Sequence, residues 1–128
     1  MKRRNPLELI GLFVLLLVVY LLVRPSKGFP VQELIELDRN ETHIIYSKHA
    51  KCRMECRHID KSEVIEILRK GTIDYKKSEV NNLKSPKFVI EGITHDEQHV
   101  RIIFAPVENA VVVVTVIDLK QDWPCDCK

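Results

Sequence analysis

Val111-Val112-Val113-Val114-Thr115-Val116-Ile117 is a run of seven residues, all β-branched, with no polar face. Such a run reads as an interior strand, because β-branched side chains fit a pleated surface and both faces need cover. A helix must lie over at least one of those faces, so this segment predicts a layered α+β fold. Two further strand-like runs precede it, Lys87 to Thr94 and Val100 to Ala105. His95-Asp96-Glu97-Gln98 joins those two, and Pro106 to Ala110 joins the second to the valine run. Connections this short make antiparallel neighbours.

Working back along the chain, Lys76 to Pro86 is polar, carries Asn81-Asn82 and Ser85-Pro86, and reads as a loop. Ile73-Asp74-Tyr75 is a candidate short strand. Asp60-Lys61-Ser62-Glu63 is a capping box, with Asp60 accepting from first-turn amides and Glu63 reaching back. The helix it starts carries Val64, Ile65, Ile67 and Leu68 on its apolar side. Arg69 and Lys70 suit its negative end, and Gly71 is expected as a left-handed stop. Before it, Thr42 to Tyr46 reads as a strand, Ser47 as an N-cap, and His49 to Arg57 as a helix. The expected order is strand, helix, helix and antiparallel meander, with two helices on a sheet of three to four antiparallel strands.

The first of those helices holds the chemistry. At 100° per residue from His49, Arg53 falls near about 40° and Arg57 near about 80°, while Cys56 and Cys52 fall near about 340° and 300°. Ala50 and Met54 share the side expected to pack on the sheet. The two thiols share one flank, and at i, i+4 they cannot readily bond to each other. Cys125 and Cys127 project the same way from an extended segment. Two converging pairs invite a tetrahedral zinc site of Cys52, Cys56, Cys125 and Cys127, with His49 able to replace one thiol. The competing reading is two disulfides from helix to tail, which suit an oxidising compartment. Four reduced thiols are the plainest alternative. His49, Arg53 and Arg57 form a separate candidate, since an imidazole titrates near neutral pH and guanidiniums hold phosphate. Their structural alternative is pairing of the arginines with acids such as Glu91 or Asp118.

The residues His49-Ala50-x-x-Arg53-Met54-x-x-Arg57-x-Ile59, the capped helix ending at Gly71, and the meander ending Val114-Thr115-Val116 resemble the DUF4258 domain family. The resemblance covers roughly Tyr46 to Leu119. It implies the RelE-like, barnase/colicin-type (BECR) fold, helices packed on a four-stranded antiparallel sheet. Many relatives in that superfamily cleave RNA, and on that basis His49, Arg53 and Arg57 would be catalytic.

The first part of the chain reads differently. Leu7 to Val23 is nearly all Leu, Val, Ile, Phe or Tyr, broken by Glu8 and Gly11. The first alanine is Ala50 and the first cysteine Cys52, which argues against a cleaved signal peptide or a lipoprotein. Residues 1–27 are therefore expected to be a single transmembrane anchor, 28–41 a juxtamembrane linker with Val31, Leu34, Ile35 and Leu37 as an amphipathic turn, and 42–128 the domain. Lys2, Arg3 and Arg4 against Arg24 and Lys27 favour a domain outside the cytoplasm, periplasmic or extracellular. Five of the 20 basic residues and one of the 18 acids precede Gly28, leaving 15 against 17 in the remainder. A domain of that balance does not bind nucleic acid through its overall field. The expectation is a membrane-held binding or structural module with a cysteine-built metal or disulfide site and an unidentified protein partner. The alternative is an RNA-binding or RNA-cleaving domain.

Overall fold

In the computed structural model, residues 5–23 and 36–128 are described. The chain divides into two units, Met1–Glu33 and Leu34–Lys128. In the second, the valine run forms β5 (Ala110–Asp118) and pairs antiparallel with β4 (His99–Val107). β4 pairs with β3 (Phe88–Ile93), and β3 with the two-residue β2 (Thr72–Ile73). On its other side β5 pairs with β1 (Ile44–Tyr46), here in parallel. The sheet order is β1-β5-β4-β3-β2.

The sheet is thus five-stranded and mixed, where three to four antiparallel strands were expected. Both short edge strands join it. β1 is parallel to β5 because the two helices lie between it and the meander, so the chain returns before β5 is laid beside it. β5 is interior, as its two apolar faces require.

The helices α2 (Lys48–Cys56) and α3 (Lys61–Lys70) cover one face, α2 on β5 and α3 on β3. Ala50 is 0% exposed, and Met54 is buried with it against Val111, Val113 and Val116 in the same core. Val64, Ile67 and Leu68 fill the other half with Phe88, Ile90, Val100, Ile102 and Phe104. The inward set on β5 is 111, 113 and 116, which breaks strict alternation. Val114 is the reason: Phe104 pairs with Val113 and Ile103 with Thr115, so Val114 is an extra, bulged residue.

Three of the helix ends around the core are satisfied by side chains. Ser47 Oγ accepts from the Ala50 amide at 2.9 Å and donates to the bulged Val114 carbonyl at 2.9 Å. Asp60 and Glu63 form the reciprocal capping box. At the far end of α3, the Arg39 guanidinium donates to the Leu68 carbonyl at 2.7 Å and to the Gly71 carbonyl. Leu37 joins the core beside it. Both lie in the segment read as linker; Val31, Leu34 and Ile35 fall outside the described residues.

Gly71 is not a left-handed stop. Its φ is −65° and ψ 167°, an extended conformation open to any residue. Glycine is needed for space: a Cβ there would sit 2.5 Å from Ile90 Cγ2 and 2.6 Å from the Ile67 carbonyl.

In the first unit, α1 runs Pro6–Leu22 and Val23 is its C-cap. The expected transmembrane helix is not borne out. Among the described residues no helix is long and apolar enough to cross a membrane. The 17 residues of α1 rise about 26 Å at 1.5 Å each, short of a hydrocarbon core of about 30 Å. The apolar run is present, but the helix formed from it stops one turn too soon.

Candidate functional site

The bottom of the site is α2, and its lid is the irregular segment after β5. Cys52 is bonded to Cys127 and Cys56 to Cys125, with Cα–Cα separations of 5.8 and 5.9 Å. The i, i+4 spacing on the helix and the Cys-x-Cys spacing in the tail set two bridges side by side. No residue from 119 to 128 is buried. The tail therefore gains little from apolar burial, and the bridges are its main attachment.

Trp123 adds the other. Its indole Nε1 donates to Asp118 Oδ2 at 3.0 Å, and its ring meets His58 edge-on at 5.4 Å. Asp118 is set at the end of β5 with its second oxygen accepting from the Lys120 and Gln121 amides at 2.8 and 3.1 Å. Burial works to raise the pKa of that carboxyl, but the hydrogen bonds and the Arg57 charge outweigh it and hold it below the ordinary aspartate value.

The pairing decides between the readings of the four cysteines. Among the described residues none is free, and no group of His, Cys, Asp and Glu there could hold a metal ion. Zinc needs thiolates, and these sulfurs are spent on each other. Of the two specific readings of the cysteines, the disulfides are borne out and the zinc site is not.

The three residues of the alternative site do fall on one side of α2, but in different states. His49 and Arg53 are both half-buried, and Arg53 Nε donates to His49 Nε2 at 3.3 Å. Arg57 is 9% exposed. One guanidinium nitrogen donates to the Val116 carbonyl, and Nε, also buried, has no hydrogen-bond partner among the described residues. Burial first, and then the neighbouring Arg53 charge, lowers its pKa, against the pull of Asp118 and Asp122. Neither arginine is in a direct ion pair among the described residues. Glu91, one suggested partner, instead binds Arg101 at 2.7 Å and Lys77 at 3.1 Å.

Sequence reasoning passed over the tail's own contribution. His58 holds Trp123. The signal was Trp-Pro ahead of the Cys-x-Cys pair: a single tryptophan in a polar tail needs somewhere to pack.

A second polar cluster lies at the start of α3. Glu63 is 2% exposed; its Oε2 accepts from the Asp60 amide at 2.9 Å, while its Oε1 is buried with His95 Nδ1 3.9 Å away. Burial raises the pKa of Glu63, and Asp96 beside it adds to the effect.

An α+β domain with a tail doubly bridged to its first sheet-packing helix is the class of protein that fold and site define. The model of the DUF4258 family, a domain of unknown function, matches residues 46–118. That is more than half of the chain, and the chain belongs to this family. The match includes Cys52 and Cys56 and stops before Cys125 and Cys127. Comparison with curated proteins and with solved structures gives no match.

Proposed function

We propose that this chain is a disulfide-stapled binding domain that works in an oxidising compartment outside the cytoplasm. The observation that carries the reading is the pairing of all four cysteines between α2 and the tail. Such bridges persist where glutathione and thioredoxin do not keep thiols reduced. Its binding face is the row His49 and Arg53 beside the stapled tail, where a half-exposed guanidinium and an imidazole suit an anionic group on a protein partner. The test is to trap thiols by alkylation directly in the cells that make the protein. Four blocked cysteines that become reactive only after reduction support the reading. Four cysteines alkylated without reduction reject it.

A second reading is RNA binding or cleavage, supported by the approach of Arg53 to His49. In that reading His49 moves the proton and Arg53 holds the phosphate, while Arg57 is committed to Val116. Cleavage of single-stranded RNA by the full chain in a cell-free assay, lost on His49→Ala, would support it. A wild-type chain without cleavage would reject it as a nuclease.

A further inference from the structure

We infer that the tail is a redox-released cover over α2, and that reducing its two disulfides opens an oxyanion site in which Arg57 joins His49 and Arg53. The inference rests on the binding role given above to His49 and Arg53, and adds its regulation.

Three observations converge. The tail is held by two disulfides, the Trp123 indole bond to Asp118 and one aromatic contact, with no buried residue of its own. Arg57 is buried at the C-cap of the helix that carries both bridges, one residue after Cys56. Its Nε is a donor without a partner among the described residues, although a guanidinium offers five N–H groups in a fixed fork. An unpaired buried donor carries a desolvation cost that an oxyanion would remove. Asp122, which draws on the Arg57 charge in the closed state, belongs to the tail and leaves with it. Opening thus removes a carboxylate from beside Arg57, and the long arginine stem can swing outward.

The chemistry balances with a dithiol reductant. One of its thiolates attacks a sulfur of a bridge, forming a mixed disulfide and releasing one cysteine thiol. Its second thiol then displaces the other cysteine, and the reductant leaves as its own disulfide. Each bridge takes up two electrons and two protons. Two dithiols convert both bridges to four cysteine thiols.

Trp123 is the chain's single tryptophan, so its fluorescence reports the tail directly. The experiment uses the full chain, with inorganic pyrophosphate as the probe and the side-chain NMR signals of Arg53 and His49 as the binding readout. We expect reduction to change the Trp123 signal and to tighten pyrophosphate binding by about tenfold, as one added charge-assisted contact would. The paired variant Cys125→Ser with Cys127→Ser should bind like the reduced chain with no reductant present. Arg57→Gln should hold the reduced chain at the oxidised affinity; if that variant does not fold, the serine pair decides. An unchanged Trp123 signal on reduction overturns the tail release and leaves basal binding untouched. A released tail with equal affinity in both states overturns the gating. A released tail with no pyrophosphate binding in any form overturns the anion-binding role itself.

Discussion

Glu63 is a carboxyl with one oxygen at work and the other buried without a hydrogen-bond donor among the described residues. Its pKa is raised in the fold, by burial first. A raised acid favours the folded state while protonated, and that contribution is lost as pH rises through its folded pKa. Glu63→Gln keeps an acceptor for the Asp60 amide, removes the charge, and offers a donor toward Asp96. The melting temperature of the variant relative to wild type should therefore climb as pH goes from acidic to neutral. A difference that is flat with pH, or that falls, would contradict the assignment. The wild type itself still loses stability in acid, because Asp60, Glu66, Asp74, Glu91, Asp96 and Asp118 are all lowered and lose their contributions as pH falls through their folded values. Gly71→Ala sets two effects against each other. Restricting the unfolded chain gains about 0.4–1 kcal/mol. Forcing a methyl against Ile90 and the Ile67 carbonyl costs about 1–3 kcal/mol. Overpacking wins, and denaturant titration should show a net loss of about 1–2 kcal/mol. A glycine after a capped helix looked like a left-handed stop because that is the commoner use. Only the approach of β3 shows that space is what the position requires.

At the scale of the element, β5 and α2 are tied together by Ser47. Its hydroxyl caps the helix and also donates to the carbonyl of the bulged Val114. Ser47→Ala removes both bonds and should cost about 2 kcal/mol, the upper end for a lost N-cap. Because the cap sits at the junction, hydrogen exchange should speed up at the start of α2 and around Val114 together. Faster exchange confined to the helix would mean that the tie to the bulge contributes nothing. The cap was legible in the sequence; the bulge was not. Four consecutive valines give no signal as to which one is extra, and the choice is made by registry with β4, where Phe104 meets Val113 and Ile103 meets Thr115. The turn between β4 and β5 shows the same limit. Pro106 lies inside β4, paired with Val111, beyond the end of β3 where no partner needs its missing N–H. The hairpin turns instead at Glu108-Asn109, with Asn109 at φ 56°.

For the whole molecule, the two disulfides close segments separated by 75 and 69 residues. They are not independent, since both join α2 to the tail. The first to close removes most of the chain entropy, about 4 kcal/mol for a loop of this length, and the second closes only a small ring, about 2–3 kcal/mol. Replacing Cys52 and Cys127 by serine, or Cys56 and Cys125, should each cost about 2–3 kcal/mol. Replacing all four should cost more than the two single-pair losses added together. Thermal melts of the three variants check this; strictly additive losses would mean that the bridges act separately.

The sequence by itself determined the local pieces: the interior strand, both caps, the apolar faces of α2 and α3, and the convergence of two thiol pairs. These follow from periodicity and capping, which depend on residues a few positions apart. It also carried the family motif, read from His49, Arg53, Arg57 and Ile59. Tertiary structure decided what depends on distant partners. It placed β1 parallel to β5, because strand direction is settled by where the chain returns and not by the strand's own residues. It paired the cysteines, since Cys-x-x-x-Cys and Cys-x-Cys are equally compatible with a metal and with bridges. It separated Arg57, at the C-cap of α2, from Arg53 one turn earlier, by burying the first against the Val116 carbonyl and leaving the second beside His49.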